Sequence, residues 1–215
     1  MVQKSVPKRG RPRAYDPDKA LRNARDVFWE RGFSGTSLDD IGAATGMNRP
    51  SLYAAFGGKH ALYMKAFDTY RRTSRRMIDV VLAPDIPLSE GLQHFYAEAL
   101  DTYVPKHGKA RGCFMIATGV TEAAQDADVR KALGDALHDI EKALEVRFAA
   151  AKKAGEISAS SNPRALAMMA SAALYSMAIQ SRTGVPRKAL QAIADAAIET
   201  LCAGSNKSRT RITTP

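Results

Sequence analysis

The stretch TSLDDIGAATGMNRPSLYAAFGGKHAL, from Thr36 to Leu62, predicts two short helices joined by a tight turn. Thr36 or Ser37 can cap the first helix, because a hydroxyl oxygen accepts a first-turn N–H that has no backbone partner. Gly46 ends that helix, since glycine adopts the left-handed conformation without a side-chain penalty. Asn48 is then placed to cap the second helix.

The second helix, residues 49–56, has an inner and an outer face. Leu52 and Phe56 lie four residues apart and can pack inward. The outward side chains are Arg49, Ser51, Tyr53 and Ala54. Two helices around a turn, with an exposed polar second helix, are typical of a helix-turn-helix that docks in the DNA major groove. A packed helical hairpin that binds nothing is the alternative.

The segment LDDIGAATGMNRPSLYAAFGGKHALY, preceded by ERGFSGTS, resembles the DNA-binding segment of TetR-family transcriptional regulators. The resemblance implies that Thr36 and Lys59 hold phosphates, and that Arg49, Pro50, Ser51 and Tyr53 lie in or beside the groove. Two positions depart from the family pattern: Gly42 replaces the usual alanine, and His60 replaces a frequent glutamate. The predicted DNA-binding residues are Arg9, Arg11, Thr36, Ser37, Asn48, Arg49, Pro50, Ser51, Tyr53 and Lys59.

The resemblance also implies the fold class. We expect an all-α protein with a three-helix helix-turn-helix head and an antiparallel helical-bundle body that binds a ligand and dimerises. The predicted division is a flexible basic arm (1–13), the DNA-binding domain (14–62), the ligand-binding and dimerisation domain (63–204) and a basic tail (205–215).

The net charge of +10 is concentrated at the N-terminal end. Residues 1–76 contain 16 basic and 7 acidic side chains, whereas residues 77–202 carry a net charge of −2. A field of one sign on one part of a protein attracts a polyanion to that part. Nucleic acid is therefore the first predicted partner, and an anionic membrane is the second.

The first 13 residues contain five basic side chains and no acidic one. Arg9-Gly10-Arg11-Pro12 resembles the core of an AT-hook, in which arginines reach along a narrow A·T minor groove. A solvated basic tail that adds only non-specific affinity is the alternative.

Several features favour a cytoplasmic protein without a membrane segment. Cys113 and Cys202 have no metal-binding or secreted disulfide spacing, which favours a reducing compartment. No apolar run follows the N-terminal charges, so we expect no signal peptide. The uncharged stretch 165–181 would span about 26 Å as a helix, less than the roughly 30 Å of a bilayer core, and a buried helix is expected there.

The last two predicted helices begin with proline and end with glycine: Asn162-Pro163 to Gly184, and Pro186 to Gly204. Both are poor in charge, so their outer faces need a cover. The same pair from a second subunit would supply it in a four-helix interface. We therefore predict a homodimer through residues 163–204, which a helix-turn-helix protein also needs to read the two half-sites of a palindromic operator in double-stranded DNA.

A small-molecule pocket is predicted in the body, where residues 112–118 would face an aromatic helix. Such pockets are mostly apolar with a few polar groups. Ordinary core packing is the alternative. The predicted lining residues are Phe95, Tyr96, Tyr103, Cys113, Met115, Thr118, Glu122, Tyr175 and Met177.

Cys113 suggests a second mode of sensing. Its thiolate, with His107 or nearby methionines, could bind a soft metal ion or react with an oxidant. A buried cysteine that acts as a small apolar side chain is the simpler interpretation. The four histidines contain no i, i+4 pair, so neither a zinc site nor another resident metal or cofactor is predicted.

The favoured function is a dimeric repressor that leaves its operator when a small molecule enters the body. The chain has no nucleophile elbow, phosphate-binding glycine loop or HExxH motif, so we predict no enzyme activity. Besides the repressor and the enzyme, a third class is an architectural DNA-coating protein that binds no ligand. Activation instead of repression also remains open.

Overall fold

A computed structural model describes residues 16–203, which form nine α-helices and no strand. The helices are α1 (Pro17–Arg31), α2 (Leu38–Thr45), α3 (Arg49–Phe56), α4 (Lys59–Val81), α5 (Leu88–Tyr103), α6 (Phe114–Glu122), α7 (Ala127–Lys153), α8 (Pro163–Arg182) and α9 (Arg187–Cys202). The predicted all-α fold is confirmed. The predicted arm, with Arg9 and Arg11, and the predicted tail lie outside the described residues.

Local side-chain chemistry sets where several helices begin. The Asp16 carboxylate accepts the N–H groups of Asp18 and Lys19 at the start of α1. Asn162 caps α8 in the same way, and a proline occupies the first helical position of both helices. These positions suit proline because its missing N–H would have had no partner in the helix.

The head, α1 to α3, and the body share one continuous apolar core through α4 and α6. Phe114, at the start of α6, lies at its centre: its ring centroid is 5.5 Å from both Trp29 of α1 and Tyr70 of α4. Trp29 also donates its indole N–H to the carbonyl oxygen of Arg111 at 3.0 Å. The predicted boundary between residues 62 and 63 falls inside α4, and that division stays a prediction.

In the body, α7 packs along α8, α8 along α9, and α5 against α9. An ion pair joins the far end of this bundle, with the buried Arg147 donating to the half-buried Glu156 at 3.0 Å. Arg147 also donates to the carbonyl oxygen of Ile86, and Glu156 accepts the N–H of Leu88. The pair therefore connects α7 to the α4–α5 loop and to the segment before α8.

The outer face of α8 exposes large apolar side chains, whereas that of α9 exposes alanines together with Lys188, Asp195 and Glu199. Met168, Met169 and Ile179 are each more than half exposed. Exposed alanines extend this outer face along both helices: Ala165 and Ala172 on α8, and Ala189, Ala192 and Ala196 on α9.

Replacing Phe114 with alanine tests the shared core. We expect Phe114→Ala to lower the free energy of unfolding by about 3–5 kcal/mol, because it removes a fully buried ring that contacts both head and body. Val120→Ala is the control, since Val120 lies on the same helix but is exposed. Urea denaturation measures both variants, and equal small losses would contradict the central role of Phe114.

Candidate DNA-binding face and effector cavity

The start of α2 is held by reciprocal hydrogen bonds between Ser37 and Asp40. The Ser37 hydroxyl oxygen accepts the Asp40 N–H at 3.1 Å, and the Asp40 carboxylate accepts the Ser37 N–H at 2.9 Å. Hydrogen bonds from the hydroxyl and backbone of Ser37, together with nearby Arg31, hold the pKa of Asp40 below its usual range. The sequence allowed either Thr36 or Ser37 as the cap of α2, and in the structure Ser37 is the cap.

Thr36 is buried and has a different local role. Its hydroxyl donates to the carbonyl oxygen of Gly32 at 2.6 Å, which closes the connection between α1 and α2. In this conformation the hydroxyl proton is not available to a phosphate. The phosphate contact implied for Thr36 stays a prediction.

The turn between α2 and α3 is tight. Gly46 is left-handed, with φ 70°, and Asn48 accepts the N–H of Ser51 at 2.9 Å. A methyl group at Gly42 would lie 2.8 Å from the carbonyl oxygen of Met47. Glycine at position 42 therefore lets the turn lie closely against α2.

The outer face of α3 is available to DNA. Leu52 and Phe56 are buried, whereas Arg49 and Pro50 are exposed, Ser51 is half-buried and the Tyr53 side chain is 56% exposed. The Tyr53 ring packs beside Gly58, where a methyl group would lie 3.2 Å from Cε1. The structure thus presents a supported aromatic ring and a cation on one side of the helix.

Arg49 forms a two-pronged ion pair with Asp39 at the start of α2. The Nε to Oδ1 distance is 2.7 Å and the Nη2 to Oδ2 distance is 2.5 Å. This pairing lowers the pKa of Asp39 and raises the pKa of Arg49. Because both side chains are exposed, the pair contributes little stability. Its main effect is to hold the guanidinium in position and to partly neutralise it.

Lys59 connects the start of α4 to the α1–α2 connection. Its ammonium donates to the carbonyl oxygens of Phe33 and Thr36 at 3.0 and 2.9 Å, and lies 4.3 Å from the Phe33 ring centroid. An ammonium has three N–H donors, so one remains for a further acceptor such as a phosphate. The sequence implied the phosphate contact but not this structural role.

His60, on the first turn of α4, links the head to the body. Its Nε2 lies 2.8 Å from a carboxylate oxygen of Asp126, the N-cap of α7. The backbone N–H of Val129, with that of Asp128 and the His60 side chain, lowers the pKa of Asp126. Potential ligand atoms of His60, Asp126 and Asp128 lie within 4.8 Å of one another. The hydrogen bonds account for Asp126 without an ion, so this cluster does not itself indicate a metal site.

A small internal cavity lies where α4, α5, α6, α7 and α8 meet. Its volume is about 50 Å³. Four predicted ligand residues line it: Phe95, Tyr103, Cys113 and Met115. Its other lining residues, not among those predicted to bind a ligand, are Tyr70, Ser74, Met77, Ile78, Ala99, Thr102, Ile140 and Leu174. The α4 side of the cavity was missed, although the apolar repeat of that helix, Tyr70 and Met77 included, could have indicated it.

Four other predicted ligand residues lie away from this lining. Tyr96 donates to the carbonyl oxygen of Ala170, and Glu122 accepts from Ser34 of the head. Thr118 shares a 2.8 Å hydrogen bond with Tyr63. The fourth residue, Met177, is fully buried in the core.

Tyr175 is also outside the lining, but its neighbour Leu174 belongs to it. The Tyr175 phenolic oxygen is buried, and it has no hydrogen-bond partner among residues 16–203. Burial raises the pKa of Tyr175 well above its usual value. A buried hydroxyl without a partner is costly, so a ligand or water that bonded to it would gain from the contact.

Cys113 lies in the cavity wall with the properties of an apolar side chain. Burial raises the pKa of its thiol, and the Tyr70 hydroxyl is 3.9 Å from Sγ. Reactive cysteines have a lowered pKa and some access to solvent. The surroundings of Cys113 therefore do not activate a thiolate.

These features define a helix-turn-helix DNA-binding protein with a helical body. The family model for bacterial regulatory proteins of the tetR family matches residues 20–65, and the model for the tetracyclin repressor-like C-terminal domain matches residues 90–197. The second match alone covers half of the chain, and the protein belongs to the TetR family.

Similar proteins agree with this assignment. The HTH-type transcriptional repressor ComR of Escherichia coli (strain K12) is 29% identical over 187 residues, which are 86% of this chain and 89% of ComR. The transcriptional regulator AcuR of Cereibacter sphaeroides is 30% identical over 75% of this chain and 76% of AcuR. A solved structure of a cysteine mutant of the TetR family regulator CifR, complexed with 26-bp double-strand operator DNA, is 31% identical. The two structures align with a TM-score of 0.80, and the alignment covers 88% of this chain and 98% of the CifR chain.

The comparisons establish the general function. This protein is a DNA-binding transcriptional regulator, and its family consists of regulators and not of enzymes. Within residues 16–203, no helix is both long enough and apolar enough to cross a membrane.

Removing the partner of Arg49 tests the ion pair on the DNA-binding face. We expect Asp39→Ala to strengthen binding to non-operator DNA and to steepen its salt dependence by up to about 0.9 in log–log slope, because the freed guanidinium can neutralise one more phosphate. Asp68→Ala is the control, since it removes the same charge from a surface ion pair on α4. Fluorescence anisotropy at several salt concentrations measures both variants. Identical slopes for the two would show that the freed Arg49 does not contact a phosphate of non-operator DNA.

Proposed function

We propose that this regulator is a dimeric repressor that binds a palindromic operator through α3 and leaves it when a small molecule enters the body. The observation that carries the proposal is the course of α4. The helix begins at Lys59, separated from the C-terminal end of α3 by only two residues, and its second half forms one wall of the internal cavity. One rigid element therefore connects the DNA-binding face to the effector site.

The size of the cavity explains how an effector would act. Small-molecule sites usually measure roughly 300–1,000 Å³, several times the 50 Å³ present here. An effector must therefore push the walls apart, and Tyr70, Ser74, Met77 and Ile78 bring α4 into that movement. A protein interior is close-packed and transmits such a displacement instead of absorbing it.

The displacement would reach the head through contacts at the start and in the middle of α4. Lys59 and His60 attach its first turn to the α1–α2 connection and to α7, and Arg71 pairs with Asp139 of α7 at 2.6 Å. A shift of α4 would change the separation of the two recognition helices in a dimer. Those helices must lie one DNA turn apart, about 34 Å, to dock together. Effector binding would thus favour the conformation that does not fit the operator.

Within α3, we assign base reading to the residues on its exposed face and phosphate contact to the residues around it. Tyr53 and Arg49, with Pro50 and Ser51 beside them, would face the groove. Ser37, Asn48 and Lys59 would face phosphates at the helix starts. A phosphate at a helix N-terminus is favoured by the helix dipole and by free backbone N–H groups.

A DNase footprint with a ligand screen tests the repressor. We expect protection of a palindrome near the gene of this regulator or a neighbouring gene, and loss of protection with an effector. Tyr53→Ala should weaken operator binding at least tenfold and non-operator binding less than twofold, since it removes a base contact.

Val80→Ala is the matched control for that variant, because Val80 is exposed on α4 at the end away from the head. Uniform coating of DNA without a preferred site would support the architectural alternative. Equal losses on operator and non-operator DNA for Tyr53→Ala would remove the base-reading role of Tyr53.

The exposed apolar side chains of α8, together with the exposed alanines of α9, support the proposed dimer. Large apolar side chains are seldom exposed together on a monomer, and a two-fold interface places the same face of both subunits in contact. Met168, Met169 and Ile179 would lie in this interface, with the exposed alanines allowing the helices to approach closely.

A charge in this face tests the interface. We expect Met169→Glu to convert the dimer to a monomer at micromolar concentration, because a carboxylate would be buried without a partner. Val146→Glu is the control: Val146 is equally exposed, but on α7. Sedimentation velocity measures the oligomeric state. A dimer that survives Met169→Glu as it survives Val146→Glu would place the interface elsewhere.

A further inference from the structure

A second and larger concave surface lies between the head and the body, beside the buried Trp29. It has a volume of about 710 Å³. Its walls come from the end of α1, from the loop between α5 and α6, and from the end of α8. The lining residues are Trp29, Glu30, Arg31, Pro105, His107, Gly108, Lys109, Ala110, Arg111 and Arg182. We call this surface the junction groove.

The junction groove is basic. Four lining residues are lysine or arginine, and one, Glu30, is acidic. Arg31 pairs with Asp40, and Arg111 lies 3.3 Å from Asp26, so two of the four cations are partly neutralised. The ion pairs among residues 16–203 do not include Lys109 or the guanidinium of Arg182. These two side chains therefore leave an excess of positive charge in the groove.

Two of the cations are held in place. The Arg111 guanidinium lies 3.8 Å from the Trp29 ring centroid, and Arg182 donates to the carbonyl oxygens of Trp29 and Arg111 at 3.3 and 3.1 Å. The Nε atom of Arg111 is buried and has no acceptor among the described residues. A positioned guanidinium with an unused donor binds an anion at a lower entropic cost than a flexible side chain does.

The loop that carries Lys109 is anchored at its end. Gly112 has a φ of 66°, and a methyl group there would lie 2.4 Å from the carbonyl oxygen of Ala178 in α8. The backbone of this loop therefore lies directly against α8. The two ends of the loop also meet: the N–H groups of Arg111 and Gly112 donate to the carbonyl oxygen of Tyr103, the last residue of α5. These contacts make the groove a formed surface of the body, with Trp29 of the head as its floor.

We propose that the junction groove binds a small polyanion, a molecule that carries two or more carboxylate or phosphate groups. The volume lies within the range of small-molecule sites, and the cations converge from three separate elements as a compact anion requires. A ligand there would contact α1 and the body at the same time. This site is distinct from the internal cavity, and the proposal goes beyond the repressor function.

Trp29 supplies a direct readout, because it is the single tryptophan of the chain and forms the floor of the groove. The full-length protein, without DNA, is titrated with citrate and in parallel with pyrophosphate at 0.15 M salt. We expect a saturable change in tryptophan fluorescence for at least one of them, and isothermal calorimetry gives the same dissociation constant. A preference between the two anions distinguishes carboxylate from phosphate as the bound group.

Two charge-reversing variants of the loop decide whether the groove is the site. Lys109→Glu should weaken binding of the anion at least tenfold, because Lys109 lines the groove and would become repulsive. Lys106→Glu changes the net charge equally, and Lys106 is exposed in the same loop but outside the lining. Exposed charges that do not contact the ligand interact with it weakly at this salt concentration, where the Debye length is about 8 Å, so Lys106→Glu should weaken binding several-fold less than Lys109→Glu does.

Three results would overturn the proposal. The first is the absence of saturable binding by either method up to about 10 mM anion, a concentration at which even millimolar affinity is measurable. The second is an equal loss of affinity in the two variants, which would indicate only long-range attraction. The third is unchanged binding by Lys109→Glu, which would place the anion elsewhere on the protein. None of these results depends on the operator or on the effector of the internal cavity.

Discussion

The packing of Phe114 between Trp29 and Tyr70 is the contact on which the rest of the structure depends. It joins α1, α4 and α6 in one apolar core, so the DNA-binding head is not a separate body on a flexible connection. Phe114 immediately follows Cys113 of the internal cavity, and Trp29 forms the floor of the junction groove. A displacement of side chains in the internal cavity or in the junction groove would therefore act directly on the contact that orients the head.

The DNA-binding face depends on polar contacts as well as on the burial of Ile41, Leu52 and Phe56. The helices α2 and α3 have only eight residues each, and isolated helices of this length are unstable in water. The Ser37–Asp40 hydrogen bonds, the Asn48 cap and the two carbonyl contacts of Lys59 hold them in place. Several residues that resemble DNA contacts thus also have a structural task, and their replacement would affect both folding and binding.

Local signals allowed much of the fold to be predicted from the sequence. Asn162-Pro163 begins a helix where expected, and Gly46 follows the end of α2, because each signal acts over only a few residues. The outer face of α3 followed from the helical repeat of Leu52 and Phe56. The contact between Trp29 and Arg111 joins residues 82 positions apart, and periodicity does not reveal such pairs.

The lining of the internal cavity was harder to predict for the same reason. Phe95, Tyr103, Cys113 and Met115 were identified because they lie on helices expected to face each other. Tyr96 follows Phe95 directly but faces Ala170, since a helix turns about 100° per residue. The wall formed by α4 depends on how that helix crosses the bundle, and only the tertiary packing determines this. The junction groove likewise combines three segments that no local motif connects.

The close approach of Gly112 to α8 has a consequence for how this protein can diversify. Because the backbone at that position supports the loop, residues 105–110 can exchange side chains without disturbing the helices beneath them, whereas Arg111 also packs on Trp29. A preference for one anion over another, as proposed for the junction groove, could then evolve in the loop while the packing of the helices stays unchanged. A single glycine, Gly112, would in this way allow the side chains of a binding surface to change while the helices that support it keep their packing.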